Sequence, residues 1–300
     1  VMFIKLKTNI NFMKYRRFAL FGSALLVLLS IVLLLTRGLN FGIDFTGGML
    51  LQLEFDSPVS VAEVRGSLDK IGFGGSVIQA YSEKGVLIRL KTDQESDQKK
   101  IVSSLRETLG KNVKVLRTEV VGPVAGSQLR KSAILATSLA LLAMLAYITF
   151  RFQFRFAVGG VVALIHDVII TLGIFSITYH EVSMPFIAGM LTLVGYSIND
   201  TIVVFDRVRE NFKNLKQWGI VDLFNNSVNQ VLSRTINTSL TTLFPVITLF
   251  LWGGEAISDF SMALLVGIIV GTYSSVYIAG ATVVEWYLRS PHETGKLQKR

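Results

Sequence analysis

Apolar residues in this chain gather into long uninterrupted runs, with polar residues in blocks between them. Six runs have the length of a bilayer crossing: 18–35, 132–150, 156–179, 186–205, 234–251 and 260–284. The first covers about 27 Å as a helix. Between the first two runs lies a block of different texture, residues 36–131, polar and evenly charged. Met49–Phe55 alternates as a strand. Ser60 and Glu63 form a capping box that opens a helix carrying Val61, Val64, Leu68 and Ile71. Val77–Tyr81 and Val86–Leu90 read as strands about a turn at Gly85. A second helix from near Gln94 turns Ile101, Leu105 and Leu109 inward and stops at Gly110, and Val113–Glu119 alternates as a last strand. The pattern predicts a polytopic α-helical membrane protein of six transmembrane helices. One small α+β domain of order βαββαβ, ferredoxin-like, is inserted between helices 1 and 2.

The blocks outside the runs set the orientation. A basic flank, residues 1–17, holds Lys5, Lys7, Lys14, Arg16 and Arg17. Residues 206–233 form an amphipathic connection expected to lie at the membrane interface, and residues 285–300 are a short basic tail. Arg151 and Arg155 fall on the same side, whereas the loops 180–185 and 252–259 contain no Lys or Arg. The excess of positive charge places both termini in the cytoplasm and residues 36–131 outside the membrane. A basic start before an apolar run also describes a signal peptide. This run is long for one, and Thr36-Arg37-Gly38-Leu39 is no small-x-small cleavage site, so it is expected to be an uncleaved first span.

Composition narrows the chemistry. Hydrophobic residues make up 51% of the chain and charged residues 17%. The net charge of +9 flanks apolar segments instead of forming one stripe, so it reflects topology and not a nucleic-acid partner. With no cysteine, disulfides and thiol chemistry are excluded. His166, His180 and His292 are far apart, and no metal-ligand spacing, nucleophile–base pair or phosphate loop appears. Neither an enzyme nor a cofactor or metal is expected.

The candidate site is therefore polar chemistry inside the apolar runs. Asn199 and Asp200 interrupt the fourth run, and a carboxylate at that depth costs about 3 kcal/mol or more. Gly189, Thr192, Tyr196 and Asp200 share a helical face with Ser197 beside it. Such a residue either exchanges a proton or only fixes the packing of its neighbours. Arg234, at the start of the fifth run, is a candidate counter-charge for Asp200, or simply snorkels to the interface. His166 and Asp167, near the middle of the third run, leave a helix about 100° apart and are not expected to face one small site. Asp167 is a relay candidate or a packing residue.

Five motifs carry a resemblance: Gly42-Ile43-Asp44-Phe45-Thr46-Gly47-Gly48, Val121–Gly126, Ala163–Val168, Gly195–Thr201 with Asp206–Asn211, and Leu232–Ser239. Together they resemble the SecF members of the SecD/SecF protein-export family, of the resistance–nodulation–division type, in order and over nearly the whole chain. The resemblance implies a multi-pass protein of the bacterial inner membrane, partnered by SecD and acting beside the SecYEG channel after SecA. It would use the proton motive force to promote late preprotein translocation. It also implies Asp200 as the proton-binding carboxylate and Arg234 as its regulating cation, with Gly42, Asp44, Phe45, Thr46, Gly47 and Gly48 as a structural motif entering the external domain. The external domain would be linked to the first two spans through residues 36–48 and 121–131. Half of a proton-driven exporter of small molecules or lipids, or a non-titrating scaffold, are the rival readings.

Overall fold

A computed structural model describes residues 10–290. The basic positions Lys5 and Lys7 and most of the expected tail lie outside that range. The chain divides into two compact units: residues up to Asn40 together with Thr137 onward, and Phe41–Ala136.

In the smaller unit, β1 (Gly48–Phe55), α2 (Val61–Asp69), β2 (Val77–Ala80), β3 (Gly85–Leu90), α3 (Glu95–Leu109) and β4 (Val113–Val121) follow one another. They come after α1 (Arg16–Thr36), which belongs to the larger unit. The four strands form one antiparallel sheet of order β2-β3-β1-β4. Register explains the core. Met49, Leu51 and Leu53 of β1 stand opposite Leu90, Ile88 and Val86 of β3, all on one face. Phe55, Val64, Leu68, Ile101 and Leu105 close over that face to make one apolar cluster. The capping box forms as the sequence requires: Ser60 N–H donates to Glu63 Oε2 at 2.8 Å and Glu63 N–H to Ser60 Oγ at 3.2 Å. Gly110 ends α3 in the left-handed conformation.

The glycine motif is a geometric device. Gly42 caps a single helical turn, Ile43–Thr46, which buries Ile43 and Phe45. Gly47 and Gly48 then adopt φ of 71° and 122°. A Cβ on Gly48 would lie 2.2 Å from the Leu90 carbonyl oxygen, and one on Gly47 3.2 Å from Pro123 Cα. Positive φ and backbone contact together leave room for glycine alone.

In the larger unit the usual arrangement of side chains is inverted. Phe18, Phe21, Leu25 and Leu29 of α1 are exposed while Ser23 and Ser30 are buried. This is the arrangement hydrocarbon favours, since helices there associate through small residues and hydrogen bonds. α4 (Pro123–Arg151), α5 (Phe154–Thr178), α6 (Met184–Asn211), α7 (Leu215–Trp252) and α8 (Glu255–Ser274) follow; a six-residue π-helical segment, Ser275–Gly280, leads from α8 into α9 (Ala281–Arg289). Among the described residues five helical runs are long and apolar enough to cross a membrane, the longest being Met184–Trp252 at 69 residues. That run is not straight, because it tightens at Phe212–Asn214 and Gly219 takes φ 71°, ψ 170°.

The structure adds detail at residues 206–233, the expected amphipathic connection. α6 continues to Asn211, and Leu223, Phe224 and Val228 of α7 are wholly buried against protein. Phe156 packs on Phe205 and Phe224, with ring centroids 4.9 and 6.2 Å apart. An amphipathic period reports an apolar face but not whether lipid or protein covers it. Arg234, expected at the start of the fifth apolar run, stands inside a helix uninterrupted from Ile220 to Trp252.

Candidate functional site

The centre of the bundle is built where α6 crosses α8 on small residues. A Cβ on Gly267 would strike Leu193, and one on Gly271 would stand 3.0 Å from Ser197 Cβ. This close approach brings Ser197 of α6 and Ser274 at the end of α8 to one carboxylate. Asp167 of α5 is 0% exposed, and its Oδ2 accepts hydrogen bonds from Ser197 Oγ at 2.5 Å and Ser274 Oγ at 2.7 Å. The Asp167 carbonyl accepts a third, from Thr171 Oγ1 at 2.8 Å.

His166 joins the same site, against expectation: its Nδ1 lies 2.9 Å from Asp167 Oδ1. The 100° between successive residues governs where Cβ atoms point. Nδ1 is only two bonds beyond Cβ, so the imidazole reaches its neighbour's carboxylate by lying along the helix surface. Donation from Nδ1 leaves Nε2 as an acceptor, and that atom is buried with no hydrogen-bond partner among the described residues. The ring lies 6.2 Å from that of Tyr273.

One helical turn beyond Ser197, Asp200 is treated differently. It is 2% exposed, and its Oδ2 has no hydrogen-bond partner among the described residues. The two carboxylates therefore differ in surroundings: Asp167 accepts several hydrogen bonds, and Asp200 has an oxygen with no donor among the described residues. The second arrangement is costly for an anion.

The remaining predicted residues fall as follows. Asn199 is exposed and does not join the site, because it lies about 100° round the helix from Asp200. Arg234 is exposed and makes no ion pair with Asp200 among the described residues. Neighbouring Thr235 is the one buried at this level of α7. Where α6, α7 and α8 meet, contact runs through hydroxyls instead: Tyr196 Oη donates to Ser239 Oγ at 3.4 Å, and Ser239 Oγ lies 2.7 Å from Thr272 Oγ1. Ser274 was not among the residues singled out from sequence. Its signal was the density of polar residues in Gly271-Thr272-Tyr273-Ser274-Ser275 within an apolar run. Among the described residues no group of three or more His, Asp or Glu assembles as a metal site.

Known proteins resemble this chain in both sequence and fold. The profile described as "Protein export membrane protein SecD/SecF, C-terminal" matches residues 101–289, and that of the "SecD/SecF GG Motif" matches residues 32–59. A protein translocase subunit SecF from Desulfurispirillum indicum is 46% identical, with 97% of this chain and 96% of that protein covered. One from Vibrio alginolyticus is 42% identical over 96% of this chain and 93% of its own. The crystal structure of SecDF, a translocon-associated membrane protein from Thermus thermophilus, superimposes with a TM-score of 0.88 at 40% identity. That match covers 96% of this chain but 40% of the SecDF chain, so this chain spans well under half of that protein. A profile match over most of the larger unit, joined to near-full-length identity of this order, makes the chain a member of the SecD/SecF family of protein-export membrane proteins.

Proposed function

We propose that this chain is a proton-coupled subunit of the bacterial Sec protein translocase, working with SecD in the inner membrane to promote late preprotein movement and release. SecYEG, SecA, the preprotein and membrane lipid are its further partners, and no enzymatic step is assigned to it. The relatives' names and the SecDF likeness support the role. Six spans are proposed, with both termini cytoplasmic. The 69-residue run would be roughly 100 Å long if straight, and its break at residues 212–219 is where it would turn back, making α6 and α7 separate crossings. The strand order of the smaller unit supports a ferredoxin-like external domain.

The single observation behind proton coupling is the buried Oδ2 of Asp200, without a hydrogen-bond partner among the described residues, in the midst of a membrane-length helix. Protonation would remove a charge that the surroundings do not compensate, and so would change which helix packing is preferred. Moving one charge through 100 mV supplies about 2.3 kcal/mol, enough to bias such a choice. Arg234 would act on Asp200 through space, and Asp167 with His166 would hold the framework. The test is secretion under an imposed proton gradient with Asp200→Asn at normal abundance. Loss of stimulation and of proton flux is expected, and full activity would return Asp200 to a packing role.

A further inference from the structure

Where α1 begins and α9 ends, a groove of about 740 Å³ opens between the two helices. Arg17, Glu285, Trp286 and Arg289 line its polar part, with Leu20 and Leu288 beside them. Arg16 Nε and Arg17 Nε both donate to Glu285 Oε1, at 2.8 and 3.1 Å. Of the residues that line the groove, Arg17 and Arg289 face one acid, Glu285, which Arg16 also engages from outside the lining, so positive charge is in excess there. Arg17 bonds Glu285 through Nε, and its side chain is 75% exposed. Trp286 is fixed from behind by Phe154, at 6.0 Å between centroids, and by the Arg155 guanidinium at 5.6 Å.

The groove's excess of positive charge suits an anion. Its cations and tryptophan sit at the ends of membrane-length helices, the level of lipid headgroups, and its leucines continue onto the exposed apolar face with Phe18 and Phe21.

We propose that this groove binds one anionic phospholipid, with the phosphate between Arg17 and Arg289 and the acyl chains along Leu20 and Leu288. The proposal rests on the membrane placement of α1 and α9 alone and is independent of the proton-carrier role of Asp200.

The test uses the full chain in mild detergent, with Trp218→Phe and Trp252→Phe so that Trp286 is the reporter. Short-chain phosphatidylglycerol is titrated at low and high salt. Saturable binding is expected, at least tenfold tighter than for phosphatidylcholine of the same chain length and weakening as salt rises. Arg17→Gln and Arg289→Gln should each weaken it about fivefold, as loss of one charge near an anionic headgroup implies. The double Lys variant should keep the preference, which separates loss of charge from loss of fold. Equal binding of the zwitterionic lipid, or unchanged binding by the double Gln variant, overturns the proposal. So does full competition by equimolar inorganic phosphate, which reassigns the groove to a small anion.

Discussion

Ser274 donates its hydroxyl to Asp167 across 2.7 Å, joining α8 to α5 at the last residue before the π-helical segment. Ser197 reaches the same oxygen from α6, so three helices meet on a single carboxylate oxygen. One turn along α6, Asp200 has a buried oxygen with no hydrogen-bond partner among the described residues. Two acids of one bundle thus have unlike surroundings, and the proposed division of roles, a framework at Asp167 and a proton carrier at Asp200, rests on that difference.

If Asp167 is the framework, its two hydroxyl donors should be coupled. Ser274→Ala alone is expected to destabilise the bundle by about 0.5–2 kcal/mol, the range for hydrogen bonds between membrane helices. Combined with Ser197→Ala, the loss should exceed the sum, because Oδ2 is then left buried without a hydroxyl donor. Thermal unfolding of the detergent-solubilised protein measures both, and strictly additive losses would show that the two hydroxyls act independently.

Gly48→Ala should be among the most damaging single-methyl changes in the smaller unit. It forces a side chain into φ 122° and toward the Leu90 carbonyl. Gly66→Ala, within α2 where nothing lies within 4 Å, should instead stabilise by roughly 0.5–1 kcal/mol. Proteolytic susceptibility of residues 41–122 compares them, and equal effects would remove the motif's geometric explanation.

The smaller unit should lose stability in acid. Hydrogen bonds from Ser60 and the charge of Lys111 hold the Glu63 carboxyl below its usual value, and a bond from the Asn112 backbone does the same for Asp56. Carboxyls depressed in the folded state contribute their stability above the unfolded pKa and lose it as pH falls through the folded one. The melting temperature of excised residues 41–122 should therefore decline below about pH 4.5, and Glu63→Gln should flatten that decline. An unchanged pH profile in the variant would detach the capping box from the effect.

Because Arg234 touches Asp200 nowhere, its charge and not its fork should matter. Arg234→Lys is expected to retain most gradient-driven secretion and Arg234→Ala to lose it. Failure of the Lys variant would mean that a bidentate contact forms at some stage of the cycle.

Much of this architecture was legible from the order of residues. Period two and period 3.6 announced the strands and helices of the smaller unit, and the capping box and Gly110 marked helix ends, because these signals are local and act through the backbone. Asp200 stood out for a similar reason: an acid within an apolar run is costly whatever surrounds it. What surrounds it was settled only in three dimensions. The apolar stripe of residues 220–232 does not say which parts of the protein meet it, Phe156 of α5 among them. The 100° rule placed His166 and Asp167 apart, yet side-chain reach brought them together. Ser274 lies 107 residues from Asp167, and only the glycine-lined crossing of α6 and α8 lets its hydroxyl arrive. Composition and period fix what each segment is able to bury; which partner satisfies a buried polar atom is decided by helix crossings that bring distant residues together.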